Sequence, residues 1–338
     1  MDRMAKFGND LYTGARSYNF VGRRKIWYAI AAVMILASIV IPAIRGGFVF
    51  GIEFTGGSEF QIGQVDNLDK DSLGQQNLAT DTVNATVTNA APRVTTIGAD
   101  AIRVQTDQLK PAESDEVRSA LAAAFNVPEK EVTASFIGPS WGADITGAAL
   151  RALVIFIILA GIVMALYFRT WKMSLAAIIA LLHDIIITAG VYGALGFEIT
   201  PSAVIGFLTI LGYSLYDTVV VFDKIRENTT EDGAESSRTF AESVNLAVNQ
   251  TLVRSINTGV VAALPVAAIL FIGAVVLGAG TLRDIALSLL VGILIGTYST
   301  IFIAAPLYSQ LRENEPDLQR RSQKTTTTRA ASTTGAIR

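Results

Sequence analysis

Six long apolar runs separate shorter polar segments in this chain of 338 residues. A helix needs roughly 20 consecutive apolar residues to cross the hydrocarbon of a bilayer. The runs that reach or approach this length are Ile26–Ile44, Ala148–Tyr167, Met173–Leu195, Ser202–Phe222, Thr251–Gly273 and Ile285–Ala305. Charged residues make up only 17% of the chain, against about 25% in a soluble domain. The sequence therefore predicts a polytopic α-helical membrane protein with six transmembrane helices.

The distribution of basic residues predicts how these helices are oriented. Six lysine and arginine residues precede the first run, and by the positive-inside rule they place residues 1–25 in the cytoplasm. They are Arg3, Lys6, Arg16, Arg23, Arg24 and Lys25. The first run, 26–44, is too long for an ordinary signal peptide, so we expect it to be retained as an anchor. With six spans, the tail 310–338 is also cytoplasmic, and its Thr- and Arg-rich composition predicts disorder.

The segment 45–141 is the one long polar stretch on the opposite, extracytoplasmic side. Its patterns predict strands at Ile52–Ile62, Arg93–Ile97, Ala101–Thr106 and Glu131–Ile137, with helices at Thr82–Ala91 and Ser114–Phe125. That order, β-α-β-β-α-β, is typical of a small ferredoxin-like α+β domain. The residues 63–80, rich in Asp, Gln and Asn, are interpreted as a solvated insertion.

The remaining spans are predicted to form a five-helix bundle, 142–309, interrupted by a cytoplasmic amphipathic segment at 231–250. Apolar residues at helical spacing in that segment predict a helix on the membrane surface. Gly292 and Gly296 form a GxxxG pattern, which indicates close contact with a neighbouring helix.

Two charges inside the apolar runs are the main candidates for function. Asp217 lies in the fourth run and Arg254 lies just inside the fifth. A charge in the bilayer core costs at least about 2.5–3.5 kcal/mol, so such residues usually face a polar pathway or each other. A carboxylate beside a cation can gain or lose a proton when the cation moves. The alternative is a static salt bridge for Asp217 and a snorkelling anchor for Arg254.

A second polar pair, His183 and Asp184, falls near the middle of the third run. Histidine titrates near neutral pH, so this pair is a possible proton relay; equally, Asp184 could hydrogen-bond to another helix with His183 orienting it. Asp223 and Arg226 lie at the end of the fourth run and are interpreted as a solvated interfacial cap.

Several other kinds of chemistry are excluded or disfavoured. The chain has no cysteine and one histidine, so disulfides, thiolate metal sites and histidine-rich metal clusters cannot form. The segment Gly51-Ile52-Glu53-Phe54-Thr55-Gly56-Gly57 lacks the strand–loop–helix context of a phosphate site. No nucleophile–base–acid set is found outside the membrane, so an enzyme is not expected, and no cofactor, metal or nucleic acid is predicted.

Five motifs together resemble the SecF members of the SecD/SecF family, within the resistance-nodulation-division superfamily. They are GIEFTGG (51–57), IGPSWG (137–142), LLHD (181–184), GYSLYDTVVVFDKIREN (212–228) and TLVRSINT (251–258). The resemblance implies that Asp217 and Arg254 are tied to proton coupling. It also identifies Gly51, Phe54, Gly56 and Gly57 with the Gly-Gly motif of the superfamily.

The resemblance further implies a role in protein export across the bacterial cytoplasmic membrane. The expected partners are a SecD homologue, the SecYEG channel, unfolded preprotein, a YajC-like small subunit and, indirectly, SecA. Two other functions stay open at this point: a proton-coupled small-molecule exporter of the same superfamily, and a scaffold or insertase helper that does not transduce energy. SecD itself is a lesser alternative, because its outer domain is much larger.

Overall fold

A computed structural model describes residues 2–65, 68, 70–97, 100–231, 238–273, 280–320 and 322–323. Within these ranges, six helices are long and apolar enough to cross a membrane. The protein is accordingly a multi-pass membrane protein. The helices that include these spans are α2 (Arg24–Ile44), α6 (Pro139–Phe168), α7 (Trp171–Leu195), α8 (Pro201–Glu231), α9 (Phe240–Phe271) and α10 (Gly280–Ser299). The last span continues through a π-helical turn, Thr300–Ala304, into α11 (Ala305–Glu313).

The α/β domain is inserted between α2 and α6. Its elements are β2 (Gly57–Ile62), α4 (Ser72–Thr86), β3 (Arg93–Ile97), β4 (Ala101–Thr106), α5 (Pro111–Ala124) and β5 (Val132–Ile137). This is the predicted β-α-β-β-α-β order. The sheet runs β3-β4-β2-β5, and every neighbouring pair is antiparallel. We call the end of the bundle next to this domain the domain end, and the opposite end the far end.

Two predictions about the domain are corrected by the structure. Residues 52–55 form a short helix, α3 (Ile52–Thr55), instead of the start of a strand. The first domain helix begins at Ser72, ten residues before its predicted start, because Asp71 caps it by accepting a hydrogen bond from the backbone N–H of Gly74. Residues 72–80 of the predicted insertion are therefore helical, and Val65 and Leu68 are buried in the domain core.

The amphipathic segment is also placed differently from the prediction. Residues 232–237 lie outside the described ranges, but from Phe240 onward the chain is one continuous helix into the fifth span. Thr239 and Glu242 form a capping box at its start. Phe240 and Val244 are buried in the core of the far end, so this segment is a far-end extension of a span and not a separate surface helix.

The chain before α2 packs against that extension. We call residues 2–23 the N-terminal strap; it contains α1 (Asp2–Tyr12). Asn249 of α9 pairs with the backbone of Tyr18, accepting from its N–H at 2.7 Å and donating to its carbonyl at 2.9 Å. Leu11, Phe20 and Val21 of the strap are buried in the far-end core.

The first residues of the predicted disordered tail are held in place. Glu315 accepts hydrogen bonds from Arg312 and from Lys172, the latter at 2.9 Å. Residues 324–338 lie outside the described ranges.

Glycines bring α10 into close contact with α8. A Cβ atom built on Gly292 would lie 2.3 Å from Ile210 Cγ1, and one on Gly296 would lie 3.1 Å from Ser214 Cβ. The GxxxG pattern of the sequence is thus a contact surface between the fourth and sixth spans.

We expect Gly292→Ala to lower the midpoint of thermal unfolding in detergent micelles, because the added methyl group overlaps Ile210; overpacking of this kind costs about 1–3 kcal/mol. Gly212→Ala on α8 is the matched control, since a Cβ at Gly212 meets nothing within 4 Å. Equal unfolding midpoints for the two variants would contradict the close contact between α8 and α10.

A buried polar layer as the candidate functional site

Asp184 is the centre of a polar layer buried between α7, α8 and α10. Its side chain is fully buried. One carboxylate oxygen, Oδ2, accepts hydrogen bonds from Ser214 of α8 at 2.7 Å and from Ser299 of α10 at 2.8 Å. The other, Oδ1, lies 3.1 Å from Nδ1 of His183. Both oxygens are therefore satisfied, and the carboxylate ties three helices together.

His183 is buried beside this carboxylate but is only partly satisfied. Its Nε2 has no hydrogen-bond partner among the described residues. The imidazole ring lies 6.1 Å from the ring of Tyr298, whose hydroxyl is likewise buried without a partner in the described part of the chain.

Helical spacing explains how α8 contributes to the layer. Asp217 and Thr218 follow Ser214 by three and four positions, which places all three on one face of the helix. Thr218 exchanges a hydrogen bond of 2.9 Å with Thr300 of the last span. Thr300 opens the π-helical turn in that span, and such irregular turns are frequent at functional sites.

Asp217 is buried, with 2% of its surface exposed, but only one of its oxygens is satisfied. Oδ1 accepts a hydrogen bond from Ser255 of α9 at 2.9 Å. Oδ2 has no partner among the described residues. A buried polar atom left without a partner costs about 1–3 kcal/mol, and more when it is charged. The arrangement therefore leaves one oxygen of Asp217 free to take up a proton.

Arg254 is the residue next to Ser255, yet it makes no salt bridge with Asp217. Its side chain is exposed and lines a cleft of about 720 Å³ that opens at the far end. We call this the far-end cleft; its lining residues are Tyr12, Val220, Asp223, Lys224, Arg226, Glu227, Gln250, Thr251 and Arg254. Asp217 thus lies inside the bundle and bonds Ser255, whereas Arg254, the neighbour of Ser255 in the sequence, lies in the cleft.

The far-end cleft stops about one helical turn from Asp217. Val220 lines it, and Val220 lies three positions after Asp217, which is about 4.5 Å along the helix axis. The N-terminal strap supplies one wall, because Gln250 donates a hydrogen bond to the carbonyl of Tyr12 at 3.1 Å. The cleft is therefore a polar approach to Asp217 from the far end.

The predicted cap residues join α8 to α6. Asp223 accepts a hydrogen bond from the Tyr167 hydroxyl at 3.1 Å, and Arg226 donates to the Tyr167 carbonyl at 3.4 Å. Both residues also line the far-end cleft.

The Gly-Gly motif lies at the base of the α/β domain, far from this layer. Gly56 and Gly57 have φ of +77° and +148°, so they make the bend between α3 and β2. Gly51 precedes α3, and Phe54 contacts Phe50 with ring centroids 6.3 Å apart. Gly142 of α6 packs on this bend, since a Cβ there would lie 2.5 Å from the Phe54 carbonyl oxygen. The motif thus supports the domain and does not contribute to the polar layer.

Sequence reasoning missed the hydroxyl side chains that complete the layer, namely Ser214, Ser255 and Ser299 with Thr218 and Thr300. Serine and threonine are common in membrane helices and rarely stand out individually. The available signal was their spacing, since Ser214 and Thr218 flank Asp217 on one helical face. Within the described ranges, no three His, Asp or Glu side chains are grouped so as to hold a metal ion.

Comparison with known proteins decides the family. Residues 117–314 match the family described as protein export membrane protein SecD/SecF, C-terminal. The chain belongs to the SecD/SecF family. It is 44% identical over 319 residues to the protein translocase subunit SecF of Streptomyces coelicolor, covering 94% of this chain and 83% of that one. It is 40% identical over 322 residues to the SecF subunit of Mycobacterium tuberculosis, covering 91% and 70%.

A solved relative shares the fold. The crystal structure of SecDF from Thermus thermophilus, described as a translocon-associated membrane protein, aligns with a TM-score of 0.75 at 29% identity. The match covers 88% of this chain and 39% of the SecDF chain, so the present chain corresponds to part of that longer protein.

The two buried carboxylates should respond differently to the same substitution. We expect Asp184→Asn to lower the midpoint of thermal unfolding in micelles, because the asparagine NH₂ group would face hydroxyl donors that now bond to the carboxylate. The loss of such a buried hydrogen bond typically costs about 1–3 kcal/mol. Asp217→Asn should leave the midpoint unchanged or raise it, since it neutralises a half-satisfied buried charge. A larger loss at Asp217 than at Asp184 would reverse these assignments.

Proposed function

We propose that this chain is a SecF-type subunit that uses the proton motive force, together with a SecD homologue, to promote preprotein movement through the SecYEG channel. The single observation that carries the proton step is the buried carboxylate of Asp217 with one oxygen unpaired in the described structure. The relatives are translocase subunits by name, which supports the export role. The proposed location is the bacterial cytoplasmic membrane, with both termini and the far end in the cytoplasm and the α/β domain outside.

Proton uptake by Asp217 would change helix packing through its own contact with α9 and through the neighbouring residue Thr218. In its ionised state the carboxylate accepts from Ser255 and is attracted toward the cation of Arg254 in the far-end cleft. Protonation removes that attraction and changes the contact between α8 and α9. The bond between Thr218 and Thr300, one residue further along α8, would transmit the change to the last span. The far-end cleft would let the proton leave toward the cytoplasm.

The available energy is sufficient for a shift between two packing states. A membrane potential of about 100 mV supplies roughly 2.3 kcal/mol for each charge that crosses. That energy changes a two-state ratio by about 50-fold. Repeated protonation cycles would then move the α/β domain and draw an emerging preprotein outward.

Asp184 and His183 have a supporting role in this proposal. Because Asp184 joins α7, α8 and α10, it would keep these helices moving as one unit while α9 shifts. The other proposed partners, a YajC-like subunit and SecA acting indirectly, rest on the family resemblance alone.

Two rival functions fit the observations less well. A small-molecule exporter is disfavoured because the relatives at 40% identity and above bear translocase names. A passive scaffold would not need a half-satisfied carboxylate beside a polar cleft.

We expect Asp217→Asn to abolish the gradient-stimulated part of preprotein translocation into inverted membrane vesicles, because the asparagine amide cannot carry a proton. The portion driven by ATP alone should remain. The measurement compares translocated preprotein with and without a proton gradient at matched protein levels.

Glu313→Gln is the control for that experiment. It makes the same carboxylate-to-amide change at an exposed residue that pairs with Arg24, so gradient stimulation should equal that of the parent protein. Full gradient stimulation in Asp217→Asn would favour the scaffold over the motor.

A further inference from the structure

Five polar side chains meet where the α/β domain rests on the bundle, and none of them takes part in the proton step above. We call Glu53, Glu59, Arg103, Gln105 and Glu198 the junction cluster. Arg103 and Gln105 project from one face of β4, while Ile102 and Val104 of the same strand are buried in the domain core. The cluster therefore lies on the face of the sheet that is turned away from its helices.

Arg103 and Gln105 each bridge the two structural parts of the protein. Arg103 lies 3.5 Å from Glu59 of its own sheet and 3.6 Å from Glu198 of the bundle. Gln105 donates to the same two carboxylates at 3.1 and 3.3 Å. Their side chains are largely buried, so these contacts are screened less by solvent than surface pairs are.

Glu198 connects the junction cluster to the helix that carries Asp217. It belongs to β6 (Glu198–Ile199), which pairs in parallel with β1 (Val49–Phe50) and ends just before α8 begins at Pro201. Thr200 caps α8 through the N–H of Ala203 and also donates to Asp284 of α10. A displacement of the domain-end turn of α8 would thus act directly on the junction cluster.

The charges in the junction cluster are unbalanced. Three carboxylates face one guanidinium, and Oε2 of Glu53 is buried without a hydrogen-bond partner among the described residues. Asp284 of α10 also acts electrostatically on Glu53, and it pairs with Arg283 at 3.1 Å. With all carboxylates ionised, the closed junction holds more negative charge than its cation can neutralise.

We propose that the junction cluster is a proton-sensitive latch, which holds the outer domain on the start of α8 when a carboxylate is protonated and loosens when all three are ionised. The proposal rests on the proposed orientation, in which this end of the bundle faces outside and experiences the pH of that compartment.

The direction of the pH effect follows from burial. Desolvation raises the pKa of Glu53 and of Glu198 above the ordinary glutamate value, and Arg103 opposes the rise only in part. If the junction opens, water reaches these groups and their pKa values return toward normal. The closed state therefore binds protons more tightly than the open state. Protonation therefore stabilises the closed junction fully at a pH below the ordinary glutamate pKa. This stabilisation is lost as the pH rises through the raised pKa values of the closed state.

The test is a distance measurement on the full chain in lipid nanodiscs. Because the chain has no cysteine, spin labels can be attached to cysteines introduced at two exposed positions, Asn84 on α4 and Leu195 at the domain end of α7. Pulsed electron paramagnetic resonance between about pH 5 and pH 8 should show a second, open distance that grows with pH. The ratio of open to closed should change by up to about tenfold per pH unit for each proton released.

Substitutions then assign the effect to the junction cluster. The double variant Glu53→Gln with Glu198→Gln should keep the closed distance across the whole range. Arg103→Gln should raise the open population at high pH above that of the parent protein, which gives an independent readout if the double variant does not fold. Glu116→Gln, an exposed carboxylate on α5, should retain the parent response.

Two results would overturn the latch. One is a distance distribution that does not change with pH in the parent protein; the other is an unaltered pH response in both the double variant and Arg103→Gln. Neither result depends on translocation, so failure of the latch is distinct from failure of the proposed proton step at Asp217.

Discussion

The cost of placing a carboxylate inside a helical bundle governs the organisation of this protein. An ionised carboxylate needs hydrogen-bond donors on both oxygens, and Asp184 has them from three helices. Asp217 lies three positions after Ser214 on the same helix, but among the described residues it receives one donor, from α9. The first arrangement stabilises a single packing of α7, α8 and α10. The second leaves one carboxylate oxygen without a partner in the described part of the chain, and the proposed proton step depends on that oxygen.

Close helix packing is what makes this difference possible. Gly292 and Gly296 let α10 approach α8 closely, and Ser299 of α10 donates a hydrogen bond to Asp184 of α7. At the far end, the N-terminal strap and the extension of α9 enclose a cleft that ends near Asp217. At the domain end, β6 and the junction cluster connect the start of α8 to the α/β domain. Helix α8 thus contributes to the polar layer and to the far-end cleft, and it is connected to the α/β domain.

The asymmetry between the two ends of α8 has a physical consequence for transmission. Its far end is joined to α6 through Asp223, Arg226 and Tyr167, whereas its domain end is held by Thr200 and by a charged cluster with one cation. Both ends of α8 are held by polar contacts, but in the junction cluster three carboxylates share one guanidinium. In the two proposals above, α8 therefore links Asp217 to the titratable groups of the junction cluster.

The number of spans and the element order of the domain could be predicted from the sequence, because long apolar runs and strand periodicity are local signals. Their positions inside apolar runs selected Asp217 and Arg254 as candidates, but the structure buries Asp217 and exposes Arg254. The prediction for the start of α4 was wrong because its polar residues were interpreted as a solvated insertion. The capping contact of Asp71 depends on local geometry. The amphipathic pattern at 231–250 predicted a surface helix, because periodicity shows that a helix has an apolar face but does not show what covers that face. Only the tertiary structure decided that Asp184 is satisfied and Asp217 is not. That distinction depends on serines from α8, α9 and α10, one of which, Ser299, lies 115 residues from Asp184 in the chain, and packing alone brings them together.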